Sequence, residues 1–580
     1  MDDQLESIAA FRDELNYLRE AGQSFAVKHP KLAERLELSR EGSADPHVER
    51  LIESFAFLTS RIQRRLDSEF PEFTSALLGL LYPNLVNPIP PMTLARIVAD
   101  PARGKLTAGY EIPRHTSLFA QTTDGLTCRF QTAYPVTLWP LEVAEAEFTN
   151  KARFDFLDSD NRIANVLRLR LESRGATFSD LEIKRLRFHL DGNSHLTDRL
   201  YELLFRNCIG IALHDRTTGR AVSLPLSNLR TVGFEVDEEV IPYPLQSHPG
   251  YRLLQEYFWL PEKFLFFDIL GLDRNPSTTD LDILFLFDCA PRERLIITRS
   301  TFALGCTPIV NLFPRTSEPI RIDHTKTEYR LVPDARREHT TEVHSIISVS
   351  SSSNPAEESR QLHPFYSTFD TSGSQQNAFW YARRTLTERA DLTGTDIFLS
   401  FVDLAFNPSL PPTETAFANV LCTNRDLASQ LQENALLQTE EPGPISHIHC
   451  LRKPTATGYP PLGGASRWAL ISNLSLNYLS VDNGAASLEA LKKTLSLYSL
   501  SNSPNIQQQI NSIQKMTVRK VTRRMGSHPW RDFRQGNEIT FSFDESFSRS
   551  GAIALFASVL EKFAALTTGI NSFTTVRWNG

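Results

Sequence analysis

The chain has 580 residues, of which 41% are hydrophobic and 22% are charged, so it can build several packed domains and is not broadly disordered. Its 61 basic and 68 acidic residues give a formal net charge of -7, which argues against a protein that coats nucleic acid. Six cysteines, at positions 128, 208, 289, 306, 422 and 450, form no C-x-x-C pair, and this usage is typical of reduced cytosolic thiols.

Two segments bear on export and membrane insertion. The first residues, MDDQLESIAAF, are acidic where a signal peptide is basic and then apolar. The most apolar stretch, residues 551–570, carries Glu561 and Lys562 at its centre, and a charged pair at mid-bilayer is costly. We therefore expect a soluble, cytoplasmic protein without direct membrane insertion.

Residues 1–90 are predicted to form a helical region. An apolar stripe with spacings of three and four residues runs from Leu5 to Leu18, and a longer one runs from Val48 to Leu66. Asp45-Pro46 favours a helix start, because aspartate caps free amides and proline fits the first turn. The stripe residues that we single out as partner-contact candidates are Leu51, Phe55, Leu58 and Ile62. The alternative is a self-contained helical subdomain, in which this stripe packs within its own chain.

Residues 91–405 are predicted to form a β-rich body of antiparallel sandwich or barrel type. Three prolines in the segment 84–92 end the helical pattern. Strand patterns then occur, among other places, at 128–134, 166–171, 181–190 and 282–287. Two helical insertions are expected, at 196–205 and 251–258. The serine-rich segment 348–354 is expected to be an exposed loop.

Residues 406–580 are predicted to form a C-terminal domain that mixes strands with helices, after a proline-rich boundary at 407–413. Helices are expected at 485–497 and 553–566. Phe556, Val559 and Phe563 lie on an apolar stripe of the second helix, and we take them as candidates for contact between two copies of the chain. The alternative is that this helix covers the core of its own domain. Together these segments predict an α+β, multidomain fold.

The chain carries no G-x-x-x-x-G-K-[ST], G-x-S-x-G, H-E-x-x-H or G-x-G-x-x-G motif. His447 and His449 alternate as the ligands of some metal sites do, but no third ligand is near in sequence. The carboxylates that we considered for a glycosidase pair are Asp396, Asp403, Glu414 and Asp426. Nothing in their spacing indicates that two of them converge. We therefore expect no catalytic activity, no bound metal and no cofactor.

Two other segments are compatible with ligand binding. The run Tyr257–Phe267 has six aromatic residues in eleven, but Glu262-Lys263 is its only charged pair. A groove for nucleic acid needs several cations, so packing in a core or against another subunit is the better interpretation. The segment Lys515–Arg524 has five cations in ten residues. Because the net charge is negative, we favour a solvated strand face or a protein partner over nucleic acid.

Five aromatic-rich phrases in a fixed order carry a resemblance to a known family. They are GYRLLQEYFWLPEKFLFFDI at 250–269, LGCTPIVNLFPR at 304–315, LCTNRDL at 421–427, WALISNLSLNYLS at 468–480 and GAIALFASVLEKFAALTTGINSF at 551–573. In this order they resemble the TssF family, also called VasA or ImpG, which provides baseplate subunits of the bacterial type VI secretion system. The resemblance extends over nearly the whole chain.

The resemblance implies a structural wedge component that helps to initiate sheath assembly. It implies TssG and a second TssF copy as direct partners, with TssK, TssE and VgrG as neighbours around the spike, and no nucleic acid. It also favours packing of the N-terminal helices against neighbouring subunits. The alternatives are a baseplate wedge protein of a contractile phage tail and a β-rich carbohydrate-active or carbohydrate-binding protein.

Overall fold

The computed structural model describes residues 82–460 with gaps at 105, 245–248, 273–277, 292, 324–325, 353–358, 366–377 and 404–413. It also describes 485–579 with gaps at 500–503, 525–532, 545–551 and 567–572. Before residue 82 it describes 11–12, 14–15, 17–19, 31, 38–39, 42–43, 47, 50–60 and 78–79. The chain divides into two compact units, Met1–Leu80 with Pro461–Leu474, and Leu81–Pro460 with Ser475–Gly580.

The strands up to residue 290 are, in chain order, β1 (Leu38–Ser39), β2 (Gly42–Ser43), β3 (Met92–Ala99), β4 (Tyr110–Ile112), β5 (Ser117–Gln121), β6 (Thr127–Thr132), β7 (Val136–Leu138), β8 (Leu141–Thr149), β9 (Asn165–Ser173), β10 (Arg185–Leu190), β11 (Cys208–His214), β12 (Ala221–Leu224), β13 (Leu229–Thr231), β14 (Phe266–Leu270) and β15 (Asp280–Phe287).

The later strands are β16 (Phe302–Ala303), β17 (Cys306–Val310), β18 (Phe313–Thr316), β19 (Ile320–Arg321), β20 (Tyr329–Arg330), β21 (Glu342–Ser352), β22 (Arg360–Pro364), β23 (Ala378–Leu386), β24 (Thr395–Asp403), β25 (Thr415–Thr423), β26 (Leu436–Thr439), β27 (Ile445–Cys450), β28 (Ile513–Arg524), β29 (Phe533–Phe543) and β30 (Phe573–Asn579). The α-helices in the described part of the second unit are α1 (Ser194–Glu202), α2 (Pro249–Trp259), α3 (Ala485–Tyr498), α4 (Pro504–Asn511) and α5 (Ala552–Leu566).

In the first unit, residues 50–60 form a helix, which we call the 50–60 helix. The described residues between 11 and 19 are helical as well, and β1 pairs with β2. These observations agree with the helical region predicted for the start of the chain. Ile62 and the rest of the predicted Val48–Leu66 stripe beyond residue 60 lie outside the described residues.

The second unit contains a closed six-stranded barrel with the strand order β17-β3-β27-β26-β5-β6. Strand β3 is buried on both faces, because Ala95 and Ile97 contribute to one hydrophobic cluster while Met92 and Leu94 contribute to another. This explains why its sequence is almost continuously apolar. Gly305 has a φ of 71°, and a Cβ there would stand 2.3 Å from the carbonyl oxygen of Ile97. Only glycine fits at this corner of the barrel.

Two sheets lie beside helices α1, α2 and α5 and share the largest hydrophobic cluster with them. One sheet has the order β12-β11-β15-β9-β8 and the other has the order β13-β14-β10-β16. The predicted strands at 166–171, 181–190 and 282–287 are β9, β10 and β15, and the predicted insertions at 196–205 and 251–258 are α1 and α2. Sequence periodicity therefore located these elements correctly.

An eight-stranded sheet follows the order β18-β25-β21-β22-β23-β24-β20, with β19 paired to β25. Residues 348–352 belong to β21, where they pair with β25. The prediction of an exposed loop at 348–354 is therefore wrong for these residues, while 353 and 354 lie outside the described residues. Val349 and Ser351 are buried, so the strand has a buried face even though five of its eleven residues are serines.

The boundary predicted near residue 405 does not separate two packing units. Strand β25 lies between β18 and β21, and β26 and β27 complete the barrel with β3 and β5. Helix α5 and the sheet β28-β29-β30 add residues to the largest cluster of the second unit. Strands that follow residue 414 therefore complete a barrel whose first strands lie before residue 140.

The helices predicted at 485–497 and 553–566 correspond to α3 and α5, whereas α4 was not predicted. Pairing within the described sheets is antiparallel except for β22 with β23 and β29 with β30, which are parallel. The prediction of an α+β, multidomain chain with a barrel-like middle is confirmed. No helix in the described part of the chain is long and apolar enough to span a membrane.

Candidate partner-contact surfaces

The 50–60 helix exposes most of its large apolar side chains, while two small ones on its other side are buried. Leu51, Phe55 and Leu58 are 70%, 58% and 55% exposed, whereas Ala56 and Ser60 are buried. Positions 51, 55 and 58 are four and three residues apart and therefore share one face, and 56 and 60 lie on the opposite side. We call the side chains of Leu51, Phe55 and Leu58 the apolar stripe. A surface helix ordinarily turns such a stripe inward, so this one is available to a partner.

Phe57 widens the exposed apolar area beyond the residues that sequence periodicity selected. It is half-exposed and makes an edge-to-face contact with Phe11, with ring centroids 6.4 Å apart. Its position in the sequence lies off the predicted stripe, which is why periodicity gave no signal for it.

The candidate residues on the C-terminal helix are buried in their own chain. Phe556 and Val559 are fully buried and Phe563 is nearly so. The ring of Phe556 stacks on Tyr257 at 5.5 Å between centroids, and Phe563 meets Tyr251 at 5.6 Å. These contacts dock α5 on α2, as in the alternative in which this helix covers its own domain's core. The three side chains have no surface to offer to a second copy.

The aromatic run 257–267 forms a core. Phe258, Phe264 and Phe266 are buried, as are Tyr257 and Phe267. Pro261 starts a short 3-10 helix, Pro261–Phe264, which joins α2 to β14. The packing interpretation of this run is therefore confirmed within the chain itself.

A buried ion cluster fixes the loop 234–241 against α2. The carboxylate of Glu256 accepts hydrogen bonds from the backbone N–H groups of Val240 and Ile241, at 2.7 and 3.2 Å, and from the ammonium of Lys263. Burial lowers the pKa of Lys263 to about 8, against the opposing effect of Glu256. Burial alone raises the pKa of Glu256, but the charges of Lys263 and Arg252 outweigh it and the pKa is lowered. Both groups are therefore ionised at neutral pH, and the cluster acts as a structural clamp.

The sequence-based candidates for chemistry do not assemble into a site. His447 and His449 stack with ring centroids 5.4 Å apart, but the described residues contain no group of three or more His, Cys, Asp or Glu that could hold a metal ion. Asp396 forms an ion pair with Arg330 at 2.9 Å, and Asp426 accepts a hydrogen bond from Thr393 at 3.0 Å. Among the considered carboxylates, these two already have structural partners.

The basic segment 515–524 is strand β28, at the edge of the sheet β28-β29-β30. Arg519 and Arg523 converge on Glu538 of β29, and Arg577 of β30 reaches the same carboxylate. Glu538 and Arg577 are functional candidates that sequence reasoning missed, because only strand register brings them next to β28.

Comparison with known proteins decides the family. The profile of the family "Type VI secretion system, TssF" matches residues 1–579. The type VI secretion system component TssF1 of Pseudomonas aeruginosa strain PAO1 is 36% identical over 589 residues, which covers 97% of this chain and 95% of that protein. The chain belongs to the TssF family.

Two solved structures share the fold of this TssF-family chain. One is a cryo-electron microscopy structure of the type VI secretion TssK-TssF-TssG baseplate subcomplex, in which a matching chain has a TM-score of 0.74 at 22% identity, covering 92% of this chain and 96% of that one. The other is a baseplate complex from the type VI secretion system, with a TM-score of 0.60 at 20% identity, covering 99% and 96%. At these identities the likeness shows the fold.

Proposed function

We propose that this chain is a structural wedge component of the type VI secretion baseplate, which assembles around the spike and helps to initiate sheath assembly. Its family membership and the baseplate complexes that share its fold support this role. The observation that carries it is the apolar stripe of the 50–60 helix, which is exposed in the single chain. We also propose that the chain has no catalytic activity, binds no cofactor and is located in the cytoplasm.

The partners follow from the same reasoning. A solved complex with this fold joins TssK, TssF and TssG by its title, and we propose TssG as the partner of the apolar stripe, with TssK as a neighbour. A second copy of this chain, TssE and VgrG complete the proposed set. The pairing of two copies stays a prediction, and its surface has to lie outside Phe556, Val559 and Phe563.

The free energy available from the apolar stripe fits a subunit contact. Complete burial of a leucine or phenylalanine side chain contributes about 1.5–3 kcal/mol, and Leu51, Phe55 and Leu58 each have more than half of their surface left to bury. Three such side chains can therefore act as the apolar centre of an interface.

Phe55→Asp tests this proposal. A carboxylate buried in the contact without a partner is expected to weaken retention of the TssG subunit of the same system by about 3 kcal/mol, or more than a hundredfold in Kd. Because Phe55 is 58% exposed in the free chain, the variant is expected to keep its circular dichroism spectrum and its elution volume. Co-purification and titration with tagged TssG measure the effect.

The matched control is Ile296→Asp, which introduces the same charge at a side chain 77% exposed in the second unit. It is expected to bind TssG as the parent chain does. Unchanged binding by Phe55→Asp would show that the stripe is not the TssG contact. If Phe55→Asp loses its fold, Phe55→Ala, which removes the ring without adding charge, takes its place with an expected loss of about tenfold.

A further inference from the structure

The outward face of the sheet β28-β29-β30 concentrates positive charge. Strand residues alternate between the two faces, and Met516, Ile539 and Phe541 are buried on the inner face. The outward face carries, by register, five cations around one carboxylate, namely Lys515, Arg519, Arg523, Arg534 and Arg577 around Glu538. We call this set the cationic face, and its formal charge is four positive units (five cations against one anion).

Glu538 shows how this surface holds a carboxylate. Its two oxygens lie 3.1 Å from Arg519 Nη2, 3.0 Å from Arg523 Nη2 and 3.1 Å from Arg577 Nε. The Glu538 side chain is only 7% exposed, whereas those of Arg519 and Arg577 are 75% and 63% exposed. A guanidinium has five N–H donors, so most donors of these two side chains face solvent beside a preformed carboxylate site.

The arrangement costs the free chain stability. Arg523 and Arg534 are direct cross-strand partners on the same face, and like charges directly opposite each other are destabilising. No carboxylate of the described chain lies within ion-pair distance of Lys515 or Arg534, and both are exposed. An anion bound between Arg523 and Arg534 removes their repulsion, so the face gains free energy when a negatively charged partner covers it.

Protection of a sheet edge does not account for the pattern. Lysine and arginine on an edge strand prevent unwanted strand pairing, and β28 is an edge. Arg534, however, lies on the central strand β29, and Arg577 points from β30 to the same carboxylate as the two arginines of β28. Strand β30 is the other edge of this sheet, but edge protection does not explain Arg534 on the central strand, so the charges form a surface patch.

The composition of the face favours a protein over nucleic acid. Binding of single strands requires exposed aromatic rings on which bases stack. Phe573, the aromatic residue that register places on this face, is buried, with the Arg523 guanidinium 5.9 Å from its ring centroid. Lys515, Arg519 and Arg523 are spaced about 13 Å apart along β28, at roughly 3.3 Å per residue. An extended peptide has the same rise per residue, so glutamates four positions apart in it, as an alternating glutamate–serine sequence includes, can lie opposite these three cations.

We propose that the cationic face binds an extended, carboxylate-rich segment of a partner protein. The segment places its carboxylates between β28 and β30 in the way that Glu538 already does. This contact goes beyond the proposed wedge role and involves none of the residues of the apolar stripe. Its test therefore needs only the purified full-length chain.

The experiment is a fluorescence anisotropy titration with a labelled peptide of alternating glutamate and serine at low ionic strength. The variant is Lys515→Glu with Arg534→Glu, which leaves the three arginines around Glu538 in place. This variant replaces two cations that attract the peptide's carboxylates with two carboxylates that repel them. We expect it to weaken peptide binding about tenfold or more. Lys515→Gln with Arg534→Gln, which only removes charge, is expected to weaken it about threefold.

The matched control is Lys184→Glu with Arg216→Glu, two exposed cations elsewhere in the second unit, with the same change in net charge. It is expected to bind the peptide as the parent chain does. The proposal is overturned if the parent chain does not bind the peptide, or if the control variant loses as much peptide affinity as Lys515→Glu with Arg534→Glu. It is also overturned if single-stranded oligothymidylate binds the parent chain more tightly than the peptide does under the same conditions.

Discussion

The ion cluster of Glu256, Lys263 and Arg252 joins helix α2 and the short turn after it to the loop 234–241 that precedes the helix. Arg252 donates to the backbone carbonyls of Glu235 and Val236, at 2.8 and 3.2 Å, and Glu256 accepts from the N–H groups of Val240 and Ile241 at the end of the same loop. An enclosed ion pair contributes little net stability, but removal of one member leaves an uncompensated charge. The cluster therefore fixes the position of the loop 234–241 on α2 and adds little net stability.

We expect Lys263→Met to lower the free energy of unfolding by about 3–5 kcal/mol, because Glu256 would remain buried without the ammonium. The double variant Lys263→Met with Glu256→Gln is expected to lose clearly less, since the glutamine oxygen can still accept from Val240 and Ile241. Chemical denaturation of the two variants and of Glu256→Gln alone measures the coupling. A double variant as unstable as Lys263→Met would contradict the ionised pair.

His189 couples stability to acid. Burial, with a smaller contribution from the charge of Arg452, lowers its pKa to about 3, whereas an unfolded histidine titrates near 6.5. Between these values the unfolded chain binds more protons than the folded chain, so the contribution is complete above pH 6.5 and is lost as the pH falls towards 3.

The expected loss from His189 is about 1.4 kcal/mol per pH unit below 6.5, or about 2 kcal/mol by pH 5. His189→Gln is therefore expected to unfold with a shallower dependence on pH between 6.5 and 5 than the parent chain. The comparison variant is His447→Gln, which replaces an imidazole at an exposed position and so controls for the loss of one histidine. Equal slopes for parent and His189→Gln would show that this ring does not stay neutral in the fold.

At the scale of elements, the strands after residue 414 are required by the sheets before it. Strand β25 pairs with β21 from Glu342 to Ser352, and β27 pairs with β3 from Ala95 to Ala99. Removal of these strands would open the barrel and leave the hydrogen-bonding groups of β3 and β21 unpaired.

We therefore expect a chain that ends at residue 403 to be unfolded or insoluble, so that it cannot serve to map a self-association domain. A chain that ends at residue 499 keeps the barrel and the eight-stranded sheet but uncovers Tyr257 and Phe258 by removing α5. It is expected to fold with exposed apolar surface and reduced stability. Solubility, circular dichroism and binding of a hydrophobic dye distinguish the two, and a well-folded 1–403 fragment would contradict the sheet pairings.

At the scale of the whole molecule, this TssF-family chain offers two surfaces of different physical character. The apolar stripe gains free energy from burial, which salt affects little, whereas the cationic face acts through charges that salt screens over about 8–10 Å. The negative net charge of the chain makes the cationic face a local exception. The two proposed contacts can therefore be separated by ionic strength as well as by mutation.

The sequence by itself determined where elements form. Spacings of three and four residues located α2, α5 and the 50–60 helix, and alternation located β9, β10 and β15, because periodicity follows directly from backbone geometry. The ordered phrases determined the family. Serine-rich β21 was missed, because serine gives no apolar signal even where the strand is buried.

Only the tertiary structure decided which apolar face is covered. Helix α5 and the 50–60 helix carry similar stripes, yet Phe556 is buried against Tyr257 while Phe55 is exposed. A stripe shows that a helix needs a partner, but whether its own chain supplies that partner depends on contacts between residues hundreds of positions apart. The arginines around Glu538 and the strands that close the barrel also come from segments that are far apart in the sequence. Long-range register brings them together, and local sequence carries no record of it.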